Sequence, residues 1–189
     1  MKLKELIYLI KTDLYRYDGK KDFKTFLYYL LVQYGFQLSL LYRIAYYYLA
    51  NGKKIRLFFF KTLLRILCII HSTDLHLPTK IGKGIFISHS FGMAISGYAE
   101  IGDYCNISHQ VTIGRASRGG KIGVPKIGNK VYIGPGVVMI GNIKIGNNVA
   151  IGANAVVTKD VPDNAVVAGV PAKILSYNGS TGYINNTDF

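Results

Sequence analysis

The chain has 189 residues, half of them apolar, with 21 glycines, 15 tyrosines and no tryptophan, which excludes disordered and fibrous proteins. The net charge of +13 divides into +8 for residues 1–77 (13 basic, 5 acidic) and +5 for residues 78–189 (10 basic, 5 acidic). No zinc pattern, RNP motif or basic helix free of apolar residues accompanies this charge, so no nucleic-acid partner is expected.

The N-terminal residues 1–77 predict an α-helical region that is basic and aromatic. Apolar residues at helical spacing mark a first helix: Leu3, Leu6, Ile7, Ile10 and Leu14. A second helix is expected to end near Gly35, a third to run from Phe36 to Asn51-Gly52, and a fourth to cover Ile55–Ile70.

Two interpretations of this aromatic surface stay open. Packing between helices is the default, and peripheral contact with anionic lipid at the inner face of the cytoplasmic membrane is the added hypothesis. The uncharged stretch Phe26–Tyr42 has only 17 residues and contains polar side chains, so a membrane span is not expected.

The predicted location is the cytoplasm. Met1–Lys11 alternates charged and apolar residues without a small-residue cleavage site, which is not the pattern of a signal peptide. Cys68 and Cys105 lie far apart in apolar surroundings and suggest no disulfide.

After Pro78 aliphatic residues recur every six positions, and a small residue often follows them. The series continues after a two-residue slip behind Ile87 and ends near Val157. Such a hexapeptide repeat predicts short strands and turns that stack into a solenoid around an aliphatic core. An excursion over residues 115–126 interrupts it, and is either an active-site loop or a tolerated insertion.

The repeat, the excursion and the ending VVTKDVPDNAVVAGVPAKI resemble the left-handed β-helix hexapeptide acyltransferases. The resemblance is closest to the serine acetyltransferase branch, through GFQLSLLYRIAYYYL (35–49), DLHLPTKIGKGIFISH (74–89) and GVPAKI (169–174). The expected fold is α+β, with an N-terminal α-helical region (1–77), a left-handed parallel β-helix with one protruding loop (78–175) and a C-terminal tail (176–189).

The resemblance implies an acetyl-CoA-dependent O-acetyltransferase that works as a homotrimer, with dimers of trimers as an open alternative. The family's catalytic pair falls on His89 and Asp74. Imidazole can remove a proton from an acceptor hydroxyl, and a carboxylate can orient the ring. Direct transfer needs no cysteine nucleophile, and no metal site is expected because the histidines form no ligand cluster.

The resemblance also implies binding residues. Ser88 and His109 are the candidates for the acceptor, while His76 is expected to shape the first turn. The candidates for coenzyme A are Gly114, Pro135, Ala153, Lys159 and Lys173. For each lysine a merely solvated side chain is the competing interpretation.

Three departures from the serine acetyltransferase pattern bear on the acceptor. Ser88 stands where that branch has Asp, Gly123-Val124 stands where it has Arg-His, and no Asp-Pro motif occurs in the helices. A zwitterion needs charged partners that a neutral hydroxyl does not. The sequence therefore predicts a sugar acceptor of a bacterial surface polysaccharide, with L-serine as the alternative and a non-catalytic trimeric scaffold as the third hypothesis.

Overall fold

Four α-helices form the N-terminal region of the computed structural model, which describes residues 1–189. They are α1 (Leu3–Asp18), α2 (Phe23–Val32), α3 (Tyr34–Ala50) and α4 (Lys54–Ile70). Asp22 caps α2 by accepting a hydrogen bond from the Thr25 amide at 3.0 Å. The four predicted helices are confirmed, and none of them has the length and hydropathy that a membrane crossing requires.

The break between α2 and α3 differs from the prediction. It falls at Gln33, and Gly35 lies in the first turn of α3 instead of ending the preceding helix. A Cβ atom on Gly35 would overlap the carbonyl oxygen of Ile87. This glycine therefore permits a close approach between a helix and the repeat region, which the sequence pattern of one helix cannot reveal.

The repeat region forms a parallel β-helix with three sheets. Sheet A contains β1 (Asp74–Leu75), β4 (Ala94–Ile95), β7 (Thr112–Gly114), β10 (Val138–Ile140) and β13 (Val156–Val157). Sheet B contains β2 (Lys80–Ile81), β5 (Glu100–Ile101), β8 (Lys126–Ile127) and β11 (Lys144–Ile145). Sheet C contains β3 (Phe86–Ile87), β6 (Asn106–Ile107), β9 (Tyr132–Ile133), β12 (Ala150–Ile151), β14 (Val166–Ala168) and the antiparallel β15 (Lys173–Ser176).

The hexapeptide register is confirmed by the strand pairing. Ile95 lies beside Ile113, and Ile113 beside Met139, so each aliphatic residue stacks on its equivalent in the next coil. These side chains belong to a core cluster of 30 buried residues. The first coil begins with β1 at Asp74, while the division of the chain into domains at residues 78 and 176 stays a prediction.

A buried polar contact fastens the helices to the first coil. The Arg43 guanidinium binds the Asp13 carboxylate at 2.9 Å and donates to the carbonyl oxygens of Ile81 and Gly82. Asp13 also accepts from the Ile85 amide at 3.0 Å. Because both charges are buried, they depend on each other and on these backbone partners.

The C-terminal tail returns from the last coils to the first helix. Ser180 donates to the carbonyl oxygen of Lys130, and the Tyr183 ring stacks on Tyr132 at 4.3 Å. Further along, the Asn185 carbonyl accepts from Arg16 of α1 at 2.7 Å, and the terminal Phe189 ring packs beside α1. The tail therefore spans several coils and contacts both parts of the molecule.

Candidate active site

The turns that lead from sheet C to sheet A, called here the C–A turns, carry the principal candidate residues. These are residues 88–93, 108–111, 134–137 and 152–155, and they stack on one edge of the β-helix. The first turn has six residues and each of the others has four. This difference accounts for the two-residue slip in the spacing of the aliphatic residues. His89 lies in this longer turn and is exposed to solvent.

His109 lies in the next C–A turn, directly over the first. Its ring meets the His89 ring edge to face, with 5.8 Å between centroids. No ring nitrogen of His89 or His109 forms a hydrogen bond within the chain, so both can serve a ligand. The structure thus brings the proposed base and the predicted acceptor residue His109 together.

The helical region holds the His89 turn in place. The Gln33 side chain donates to the Ser88 carbonyl oxygen at 2.9 Å, and the Tyr17 hydroxyl donates to the Ile87 carbonyl oxygen at 3.2 Å. Beneath the turn, Thr73 donates to the Ser90 carbonyl oxygen. The sequence alone does not indicate this role of Gln33, because the role of a polar residue between two helices depends on what the helices pack against.

Asp74 has partners other than His89 in this structure. Its carboxylate lies 2.9 Å from Nε2 of His76 and 3.5 Å from the Arg65 guanidinium. These residues line a groove of about 420 Å³ between α4 and the first coil. Within one chain Asp74 therefore pairs with His76, and its action on His89 stays a prediction.

Four of the candidates for coenzyme A lie at the two edges of sheet A, and the fifth, Lys173, lies on sheet C. Pro135 and Ala153 lie on C–A turns above His109. The exposed Ala153 has no backbone hydrogen bond within the chain, so its N–H and C=O groups are free for a ligand. Gly114 ends β7, and Lys159 lies on the opposite edge, while Lys173 is exposed on β15.

The excursion over residues 115–126 leaves from that opposite edge. Ala116 and Gly123 exchange backbone hydrogen bonds at 2.9 and 3.1 Å, which closes the segment into a small hairpin. Lys121 then binds Asp160 at 2.9 Å and fixes the hairpin to the coil above. No hydrogen bond joins the hairpin to the His89 turn of the same chain.

Neither cysteine has the character of a nucleophile. Burial raises the pKa of the Cys105 thiol to about 12, and burial also raises the pKa of Cys68. Both therefore stay protonated at neutral pH, while nucleophilic cysteines act as thiolates. No three His, Cys, Asp or Glu side chains gather in a way that could hold a metal ion.

Comparison with known proteins identifies the repeat region. The family model for the bacterial transferase hexapeptide (six repeats) matches residues 125–159. The serine acetyltransferase of Mycobacterium tuberculosis is 39% identical over 107 residues, which cover 57% of this chain and 47% of that protein. The chain thus spans about half the length of this relative.

A second relative covers more of both proteins. The serine acetyltransferase of Helicobacter pylori (strain J99) is 36% identical over 147 residues, or 78% of this chain and 84% of that protein. The chain belongs to the serine acetyltransferase family. This assigns the fold to the left-handed β-helix of hexapeptide repeats, as the sequence predicts.

A solved structure supports the family assignment over nearly the whole chain. The serine acetyltransferase of Brucella abortus in complex with coenzyme A is 32% identical, with a TM-score of 0.80. The match covers 94% of this chain and 70% of that chain. The helices and the β-helix are thus arranged as in a member of the serine acetyltransferase family.

Proposed function

We propose that the protein is an acetyl-CoA-dependent O-acetyltransferase and that His89 is its general base. The observation that carries this proposal is the position of His89, exposed in a lengthened turn beside His109 with both ring nitrogens free. Family membership supports the same reaction class. In this reaction acetyl-CoA supplies the acetyl thioester.

The chemistry follows from the weakness of a hydroxyl group as a nucleophile. His89 accepts the hydroxyl proton while the acceptor oxygen attacks the thioester carbonyl, and the coenzyme A sulfur leaves as the carbon–sulfur bond breaks. The imidazolium then returns its proton to the leaving thiolate. No acyl-enzyme forms, which agrees with the raised pKa of both thiols.

The active form is proposed to be a homotrimer in the cytoplasm. Four of the five candidate residues for coenzyme A lie on two edges of sheet A, and the hairpin at one edge does not reach His89 at the other. A neighbouring copy that sets its hairpin edge against the C–A turns would complete one site from two chains. Within the single chain Asp74 pairs with His76. In the assembly Asp74 would instead pair with His89 and orient its ring.

L-serine is the first acceptor to test. The relatives compared above are serine acetyltransferases, and they support L-serine better than the sugar predicted from the sequence. A serine zwitterion would need a cation and an anion close to His89. Arg65 of α4 and Asp74 of the first coil are a cation and an anion that lie 3.5 Å apart.

One observation keeps a neutral sugar hydroxyl as the second candidate. The turn that carries His89 contains no Asp, Glu, Lys or Arg, and the residue before the histidine is Ser88. In the hairpin, positions 123 and 124 are Gly and Val, and the Lys121 ammonium is engaged by Asp160. An uncharged acceptor needs no charged partner in the His89 turn, while Arg115 and Arg118 of the hairpin are exposed cations without a carboxylate partner.

The test is the release of coenzyme A thiol from acetyl-CoA by the purified full-length protein. L-serine, nucleotide sugars and oligosaccharides are offered in separate reactions. We expect His89→Ala to lower kcat by about 10²–10⁴-fold with whichever acceptor is used. Tyr98→Ala, which removes an exposed side chain from another turn, is the matched control and is expected to keep the activity.

The outcomes separate the hypotheses. Serine turnover that His89→Ala abolishes supports the first acceptor, and sugar turnover without serine turnover supports the second. Activity that persists in His89→Ala would contradict the assigned base. Absence of both coenzyme A binding and transfer would leave the non-catalytic scaffold.

A further inference from the structure

The outer face of α4 exposes six large apolar side chains. They are Ile55 (88% exposed), Phe58 (75%), Phe59 (57%), Ile66 (49%), Ile69 (65%) and Ile70 (67%). The opposite face is already used, because Leu64 and Cys68 are buried in the core cluster. An apolar stripe of this size on a helix that is already anchored indicates a partner for the outer face.

The charge of α4 indicates what kind of partner fits. Between residues 53 and 70 the chain carries five cations and no carboxylate: Lys53, Lys54, Arg56, Lys61 and Arg65. Only Arg65 has a carboxylate partner in the structure, Asp74 at 3.5 Å. Four cations therefore border the apolar stripe without neutralisation.

We propose that the outer face of α4 binds the surface of an anionic lipid bilayer. Phe58 and the isoleucines would enter the boundary between headgroups and acyl chains, and the lysines would contact lipid phosphates. The helix would lie in the plane of the membrane, since four cations within its 17 residues prevent a crossing. This proposal does not depend on the identity of the acceptor.

A second copy of this helix is the less favourable partner. Two α4 faces packed against each other would bring like charges together, and neither face offers a carboxylate to offset them. An anionic bilayer avoids that repulsion, because its negative headgroups attract the same cations. The charge pattern thus decides between two occupants that apolar area alone would allow.

The apolar surface continues toward the candidate active site. At the end of α4, the buried His71 ring lies 4.5 Å from Tyr34 and 5.4 Å from Phe91. Both aromatic rings are about half exposed, and Phe91 follows His89 by two residues in the same turn. If the proposed function holds, the aromatic end of this surface lies two residues from the base, whichever acceptor is used.

Cosedimentation of the full-length protein with vesicles tests the proposal. One set of vesicles contains phosphatidylcholine alone, and the other contains phosphatidylcholine mixed with phosphatidylglycerol. We expect binding to the mixed vesicles that weakens as salt is raised, because mobile ions screen the lysines from the lipid phosphates. The assay needs no substrate, so its result is independent of the acetyl-transfer test.

Two variants separate the apolar and the charged contributions. Ile55→Ser with Phe58→Ser should lower the partition coefficient by about tenfold or more, because two large side chains no longer enter the bilayer. Lys53→Gln with Lys54→Gln should lower it by about fivefold for each charge. Leu175→Ser with Tyr177→Ser removes one exposed aliphatic and one exposed aromatic side chain elsewhere, and should leave binding unchanged.

Each other outcome would overturn the proposal. Equal binding to both kinds of vesicle would show that charge does not contribute to binding. Binding that survives both α4 variants would show that another surface of the protein contacts the bilayer. No binding at all, together with self-association in sedimentation equilibrium that Ile55→Ser with Phe58→Ser abolishes, would show that a second copy covers the face. Circular dichroism of each variant confirms that it is folded.

Discussion

The β-helix and the helical region are stabilised in different ways. In the β-helix every coil repeats the same contact, with an aliphatic residue of one strand above its equivalent in the next. In the helical region a few contacts that occur once, such as Arg43 with Asp13, hold the helices against the first coil. Repetition distributes stability over many equivalent positions, whereas single contacts concentrate it at a few residues.

The largest expected effect is at the buried ion pair. Arg43→Met leaves the Asp13 carboxylate buried without its cation, and we expect the free energy of unfolding to fall by about 3–5 kcal/mol. Urea unfolding at a fixed protein concentration measures the change, because an oligomer's apparent stability depends on concentration.

The double variant Asp13→Leu with Arg43→Met is the matched control for that experiment. It removes both charges and leaves only backbone groups such as the Ile81 carbonyl and the Ile85 amide without partners. We expect it to lose less stability than Arg43→Met alone. Equal losses would contradict the view that the unpaired carboxylate causes the damage.

A core substitution in the β-helix tests the repeated contacts. Ile133→Ala creates a cavity between coils and should lower the free energy of unfolding by about 2–5 kcal/mol. Ile122→Ala in the exposed hairpin should change it by less than about 0.5 kcal/mol. If Ile113→Ala and Ile151→Ala lower the free energy of unfolding by a similar amount, the coils contribute equally to stability. A loss confined to Ile133→Ala would contradict that equivalence.

The smallest expected effect is at the C-terminal tail. Tyr183→Ala removes the stacking on Tyr132, and we expect a loss of about 0.5–1.5 kcal/mol in the same unfolding assay. Tyr177→Ala, which removes an exposed ring without an aromatic partner, should lose less than about 0.5 kcal/mol. Indistinguishable results would mean that the ring contact adds nothing to the attachment of the tail.

The β-helix could be predicted from the sequence because its structure is local and periodic. The spacing of six residues predicts the interior positions, and the two-residue slip after Ile87 coincides with the lengthened turn of His89 in the structure. The helices of the N-terminal region followed from their apolar spacing in the same way. The proximity of His89 and His109 is a further consequence of this register.

The remaining features depend on contacts between distant parts of the chain. The break at Gln33, the support of the Ser88 carbonyl by Gln33 and the pairing of Asp74 with His76 each involve groups that no periodicity relates. The tail has no hydrophobic pattern of its own, and its course depends on polar groups and aromatic rings that earlier coils and α1 present. Such contacts occur once, so a sequence carries no repetition from which to infer them.

The contact between Arg16 and the Asn185 carbonyl has a consequence for biosynthesis. Arg16 precedes Asn185 by 169 residues, so α1 is synthesised well before its partner and acquires this hydrogen bond only once Asn185 has been added. Earlier coils can stack while the chain still grows, because each needs only its neighbour. The helical region is thus synthesised before the coils and gains this contact only after all of them.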